Sequence, residues 1–462
     1  FLPALLCVEK DDEPNEVTTA RIDYHDVLAT LFVRRFLAPI RRWCRRHGLL
    51  SGGHFSGEDK PEYNRFGSYG SIMRSLRMLD VPGVDAIWRQ LFPDERVHPF
   101  PRYASSAAHQ NGNRFALAEI FAVYGNALSP SEMRWLVDYM LVRGINLIVP
   151  SKISTCHREH FMSGIRPHFG RVNPLWPYMK EYHQYIERSC HLLSLGKPQC
   201  PNAVYFDIRS IWAGGKAMTE AVRLHEEVAK TMSEKQCDFD YVDDDALAKA
   251  RVKNGSLLVG KMRYRCLVIP SATHMSDAAK NTLRTFTAAG GRLLNADEAG
   301  EAERSVIISP NNPAIRVCKR AVGSNAIYFV VNESAETQSF TITLPGKKAV
   351  SHYSPEENRV TALISEQGRF SWQLPAYSAT FFITGAIAGI GKPRQTKPTA
   401  QTVLQRLDGA WTLQPRRRIY PGHDDFVREE LHESARPCAL GDWRPILGDD
   451  FSGEATYRCS FT

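Results

Sequence analysis

Hydrophobic positions in the first 160 residues recur with helix and strand spacings in turn. Over 23–46, Val27, Leu31, Phe32, Phe36, Ile40 and Trp43 fall at helical spacing, which predicts an amphipathic helix kinked at Pro39. HGLLSGGHFSGED follows, a short strand opening into a glycine-rich loop. A helical stretch over 69–80 and a strand in VPGVDAIW come next. A helix over 104–109 then leads to RFALAEIF, a short apolar run with one carboxylate, Glu119, at its end. An amphipathic segment over 129–143 and a second apolar run, INLIVP, complete the stretch. Four strands, near 49–53, 84–88, 115–119 and 146–150, thus alternate with helices, the pattern of a parallel α/β sheet. A complete eight-stranded β/α barrel takes about 250 residues, so about 155 residues with four strands predict half of one.

Residues 176–194 read as a long amphipathic helix ended by Gly196 and Pro198. A new unit starts at NAVYFDI and runs through a helix over 218–232, FDYVDDDAL and the apolar strand CLVIP. A helix over 276–289, Gly290-Gly291 and RLLNA close it near Gly300, a doubly wound α/β pattern. Between 314 and 385 the period changes to two, in AIYFVVNES, QSFTITLP and ATFFITG, which predicts a small antiparallel β-domain. GIGKPRQTKPTAQT has the composition of a linker, and the remainder reads as the beginning of a β-sandwich.

Composition changes this picture little. At 462 residues the chain is long enough for roughly three domains. Its 43% hydrophobic and 23% charged content is ordinary for a globular protein. The net charge is +8, and no nucleic-acid module accompanies the clusters at Arg41–Arg46 or Arg416–Arg418, so a solvated basic face is expected and nucleic acid is not an expected partner. Ten cysteines show no CxxC spacing and read as reduced, mostly buried thiols without a metal. No apolar run is long enough to span a membrane. The opening FLPALLCVEKDDEP lacks a basic region before its apolar stretch, so no signal peptide is expected and the chain reads as beginning inside a larger protein.

The chemistry is expected where barrel strands end, because the C-terminal ends of β/α strands carry the active site. A lone Glu there needs a reason, since an unpaired buried charge is costly. Glycosidic bond hydrolysis uses two carboxyl groups, one protonating the leaving oxygen and the other activating water or attacking the anomeric carbon. Glu119 is one candidate. Glu58, in a glycine-rich loop four residues after His54, is the other, and Asp85 falls on the strand between them. Pairing with an arginine is the competing reading for Glu119, and a plain solvent-exposed loop acid for Glu58. Asp85 is expected to position substrate or cap a turn. His54, His109 and His157 are expected to reach the same rim, without the spacing of a metal site. His54, His109 and Trp88 are substrate-binding candidates, Trp88 by stacking on a sugar face, with core packing as its alternative. The run Asp243-Asp244-Asp245 reads as the acidic start of a helix. FDIRSIWAGGKAM lacks the spaced glycines of a dinucleotide site.

Several stretches together resemble glycoside hydrolases of the family 106 α-L-rhamnosidase type: YASSAAHQNGNRFALAEIF, WPYMKEYHQYIERSCHLLSLGKP, DFDYVDDDAL, LPAYSATFFI and FSGEATY. The resemblance runs from about Arg21 to the end. It implies a partial (β/α)8 barrel over 1–160 and a connecting helical segment over 161–198. A flavodoxin-like α/β domain over 199–305 and a small antiparallel β-domain over 306–388 follow. A linker over 389–402 then leads to the beginning of a galactose-binding-like β-sandwich over 403–462. Glu119 matches the acid ending the seventh barrel strand and Glu58 lies at the fifth, so strands one to four would be missing and the terminal sandwich cut off. The implied activity is release of a terminal deoxysugar such as rhamnose from an oligo- or polysaccharide, with inversion. Calcium is the implied ion, with no ligands legible in this chain, and a periplasmic or extracellular setting is the implied location. A non-catalytic carbohydrate-binding protein and a family 2-like β-galactosidase are the alternatives.

Overall fold

A computed structural model describes residues 14–67, 69–93, 97–125, 127–153, 166–170, 173, 175–346, 349–391, 405–419, 429–449, 451 and 453–461. The chain divides into two compact units, one of residues 1–151 and 181–395 and one of 152–180 and 396–462. It is a mixed α/β multidomain chain with both parallel and antiparallel sheets.

In the first unit, α1 (Asn15–Leu31) passes through a π-helical turn, Phe32–Leu37, into α2 (Ala38–Arg46). The expected deformation lies just ahead of Pro39, whose ring crowds the preceding turn and has no N–H to donate; the wider π turn absorbs both defects. Arg41 and Arg45 of the basic cluster pair with Asp80.

Strands β1 (Gly52–Gly53), β2 (Val81–Ala86), β3 (Leu117–Ile120) and β4 (Leu147–Pro150) form a parallel sheet in chain order. Helices α3 (Ile72–Leu76), α4 (Pro101–Asn111) and α5 (Pro130–Val142) lie between them. The helix expected over 69–80 shortens to five residues, because the amides of Asp80 and Val81 turn to the carbonyl of Ser51 to start β2. Strand β2 begins three residues earlier than its apolar run suggests, and Trp88 lies beyond its end. Gly83 lets β1 close on β2: a Cβ there would meet the Gly53 carbonyl oxygen and Leu117 Cδ2, each at 2.7 Å. Helix α5 starts with a reciprocal capping box between Ser129 and Glu132, with Pro130 at its first position.

After α6 (Met179–Ser194) and the two-residue strand β5 (Lys197–Pro198), a second parallel sheet forms. It contains β6 (Asn202–Tyr205) and β7 (Phe239–Val242), both fully buried, then β11 (Cys266–Ile269) and β12 (Arg292–Asn295), in the order β12-β11-β6-β7. The intervening β8 (Arg251–Lys253), β9 (Ser256–Val259) and β10 (Met262–Tyr264) make an antiparallel meander. Helix α4 docks on this unit through Arg102, whose guanidinium lies 2.5 Å from Asp238, and through Gln110, which donates to the carbonyl of Tyr241. The acidic run divides its duties. Asp243 caps the following helix by accepting from the Ala246 amide and pairs with Arg77, while Asp245 pairs with Arg74.

The strands that follow are β13 (Ile307–Ser309), β14 (Ile315–Val322), β15 (Asn325–Asn332), β16 (Gln338–Thr343), β17 (Val350–Ser354), β18 (Arg359–Ala362), β19 (Arg369–Leu374) and β20 (Ala379–Thr384). They build a six-stranded sheet, β18-β17-β20-β15-β14-β5, and a three-stranded one, β13-β16-β19. Ile315, Tyr328, Phe340, Ile342 and Phe382 belong to one buried cluster between them. Arg143, at the end of α5, is buried against Glu333 at 2.6 Å, and Arg316 takes the other carboxylate oxygen at 3.0 Å, which ties the first sheet to these strands. In the second unit, β21 (Trp411–Ile419) pairs antiparallel with β22 (Glu429–His432), β23 (Arg436–Cys438) and β24 (Gly453–Arg458). The eight described cysteines form no disulfide; Cys7, Cys156 and His157 lie outside the described residues. Among the described residues no helix is long and apolar enough to cross a membrane.

Candidate active site

Register brings two carboxyl groups together. Asp85 and Glu119 are direct partners in the β2–β3 pair, so both side chains leave the same face near the C-terminal ends of their strands. The loop after β1 adds His54. Its Nε2 lies 3.2 Å from Glu119 Oε2, and the His54, Asp85 and Glu119 ligand atoms all fall within 4.8 Å of one another. Glu58 stands on the other side of the imidazole, with Oε1 3.6 Å from Nδ1. That is longer than a hydrogen bond, so the attraction is chiefly between charges. The turn at 55–58 folds Glu58 back until it accepts from the Phe55 amide at 2.6 Å. Gly57 permits the turn: its φ is +76°, and a Cβ would lie 2.2 Å from the Tyr63 ring.

Exposure separates the acids. The Glu119 side chain is 31% exposed and Glu58 only 2%, while Asp85 is 9% exposed as a residue. Asp85 Oδ1 has no hydrogen-bond partner among the described residues. Burial raises the Asp85 carboxyl to about 7; His54 opposes the rise, and the charges of Glu119 and Glu58 add to it. Glu58 is also raised, by burial, against the pull of His54 and the Phe55 amide. His54 is raised to about 9, chiefly by Glu58; burial works against the rise, and the charges of Glu58 and Asp85 support it. Below that pH the ring is an imidazolium flanked by Glu58 and Glu119.

The rim beside these groups is strained. Trp88, Arg89, Phe121 and Val123 all have positive φ, between 55° and 78°, and the Trp88 amide donates to the Ala122 carbonyl, joining the loops after β2 and β3. Non-glycine residues in that region cost energy and concentrate at functional sites. Trp88 projects here, 68% exposed rather than packed in a core. His109 is elsewhere. It lies in the last turn of α4, which returns to the start of β3, and its Nδ1 meets Asp240 of β7 at 2.8 Å. The expectation that His109 reaches the rim is corrected on that contact.

Calcium, the ion implied by the resemblance, does not suit the His54–Asp85–Glu119 cluster. Calcium takes six to eight oxygen ligands, whereas this set offers two carboxylates around a ring that is cationic up to about pH 9 and already bonded to one of them. No step is assigned to a metal.

The chain belongs to glycoside hydrolase family 106: the family model described as alpha-L-rhamnosidase matches residues 12–299. A rhamnosidase structure from Novosphingobium sp. PP1Y superposes with a TM-score of 0.66 at 18% identity, covering 94% of this chain and 46% of that one. A catalytic mutant of Gan42B, a GH42 beta-galactosidase from G. stearothermophilus, gives 0.53 at 10% identity, covering 81% of this chain and 70% of that one. A curated relative, a putative beta-glucuronidase of Formosa agariphila, is 22% identical over 303 residues, 61% of this chain and 23% of that protein. The chain therefore spans less than half of the rhamnosidase and about a quarter of the curated relative.

Proposed function

We propose that this chain carries part of the catalytic face of a glycosidase that releases a terminal α-L-rhamnose-like deoxysugar from an oligo- or polysaccharide. The β1–β4 sheet is read as half of a β/α barrel and the β6–β12 unit as a flavodoxin-like domain. The paired antiparallel sheets are read as a small β-domain, and β21–β24 as the beginning of a galactose-binding-like sandwich. The observation that carries the proposal is the partly exposed Glu119 carboxylate at a strand end, held by the N–H of His54.

Glu119 is the group placed to take a proton from water or to attack the anomeric carbon. Asp85 stands beside Glu119 in the same ladder rather than across a cleft from it, which does not suit the facing arrangement of a glycosidase pair. As a carboxyl held near 7 it carries a proton to donate to a sugar hydroxyl. Glu58 reaches the cleft only through the His54 ring. Its charge favours the protonated ring, so the transferable proton on this side of the cleft resides on His54. Trp88 offers an exposed face for the sugar's CH surface.

The test is hydrolysis of aryl α-L-rhamnosides and aryl β-galactosides by the protein and its Glu119→Gln variant. Turnover of the rhamnoside that falls by about 10²–10⁴-fold in the variant, with folding intact, supports the assignment. Equal rates remove Glu119 from the mechanism, preference for the galactoside changes the sugar, and binding without turnover in both proteins favours a carbohydrate-binding role.

A further inference from the structure

Away from the carboxylate cluster, a groove of about 1170 Å³ opens where the segment entering β3, the edge strand β5, the region around β10 and strand β14 meet. Its segment 112–114 precedes β3, so it lies at the end of the parallel sheet opposite Glu119. Eight Lys and Arg side chains line it against one acid, Glu303. That excess is close to the net charge of the whole chain, +8. Glu303 is already paired with Arg265. Lys197, Lys261, Arg263 and Arg304 are exposed and form no ion pair among the described residues. Lys319, half-buried in the wall, is held below the usual lysine range by burial, with Arg265 adding to the effect and Glu303 opposing it.

Concentrating like charges in a walled groove costs self-repulsion that a bound anion relieves, and such grooves focus the field on anionic partners. Guanidinium forks pair well with carboxylates and sulfates. No Phe, Tyr or Trp lines the groove. Sites for single-stranded nucleic acid combine positive charge with aromatic stacking platforms, so this lining favours a ligand read by its spaced charges alone. The volume exceeds the roughly 300–1,000 Å³ of ordinary small-ligand sites, leaving room for several sugar residues. We infer that this groove is a second carbohydrate site, separate from the carboxylate cluster, that binds an acidic glycan chain through its carboxylate or sulfate groups.

Binding is the readout, so the inference stands or falls independently of turnover at Glu119. Isothermal titration of the full 462-residue chain with oligogalacturonate, a dextran sulfate oligomer, neutral dextran and a single-stranded DNA oligomer distinguishes the sources of charge. Saturable binding of either acidic glycan, weakened by added salt, is expected, together with roughly tenfold loss in a Lys261→Ser, Arg263→Ser, Arg304→Ser variant. Removing the same charge at exposed Arg34, Arg42 and Arg46 is expected to change affinity by less than about twofold. The single Lys261→Ser and Arg263→Ser variants keep the test available should the triple variant fold poorly, and each is expected to lose part of the affinity. Unchanged binding in the groove variants, equal binding of neutral dextran, tighter binding of DNA, or no binding of either acidic glycan would overturn the inference.

Discussion

Replacing Asp85 by Asn should make the β2–β3 region more stable, and more so as pH rises. The acid is 9% exposed, its Oδ1 lacks a partner among the described residues, and it is raised from 3.8 to about 7. A raised folded-state pKa means that the native chain holds a proton which the unfolded chain has released. The associated stability is fully present below pH 3.8 and is lost progressively as pH climbs to about 7. With each tenfold step in acidity worth about 1.4 kcal/mol, the raised pKa costs the native state about 4 kcal/mol at pH 8 and about 2 kcal/mol at pH 5, relative to acid where both states are protonated, as upper figures. Asn keeps the shape and removes the charge. The opposing attraction to His54 is already contained in the value of about 7.

The assay is urea unfolding at pH 5 and pH 8, read by hydrogen exchange of amides in β2 and β3. A whole-chain signal would mix the two compact units. The expected result is a stabilisation larger at pH 8 than at pH 5 by about 2–3 kcal/mol. Equal effects at the two pH values, or destabilisation growing with pH, would refute the reasoning, because Asp85 would then be satisfied as a carboxylate.

Glu58→Gln removes the main cause of the raised His54 pKa, so an NMR titration of that ring should show it falling from about 9 toward 6.5; an unmoved titration would assign the rise to Glu119 or Asp85 instead. Glu333→Gln leaves Arg143 and Arg316 buried without their counter-charge, at a cost of about 3 kcal/mol, checked by chemical denaturation. Gly83→Ala should cost about 1–3 kcal/mol and loosen β1, seen as faster exchange of the Ser51–His54 amides.

The alternation of elements was legible because buried strands and amphipathic helices leave different periods, and all four strands of the first sheet appear within a few residues of their apolar runs. The end of β2 was not legible. VDAIW reads as continuous strand, but the chain leaves it after Ala86: the Ile87 amide donates to the Gln90 side chain, the Gln90 amide turns back to the Ile87 carbonyl, and Trp88 and Arg89 take positive φ. Glu119 was conspicuous as a lone charge ending an apolar run. His109 misled because position along a helix does not reveal which neighbouring unit its end will meet, and Asp240 lies more than a hundred residues on. The strained rim and the basic groove had no local signal at all: the groove's cations come from segments far apart in the sequence.

Asp85 shows how one register position can assign a role that residue type alone does not. Side by side with Glu119 in the ladder, it presents the same chemical group to the same face. Water reaches the Glu119 side chain, 31% exposed, and the His54 N–H holds its oxygen, while Asp85 Oδ1 has neither help. Burial, with the charges of Glu119 and Glu58, favours a proton on Asp85. From behind, His54 is held as an imidazolium chiefly by Glu58 and lies 3.2 Å from Glu119. The division of labour proposed for the cleft thus follows from unequal access to water at two adjacent strand positions.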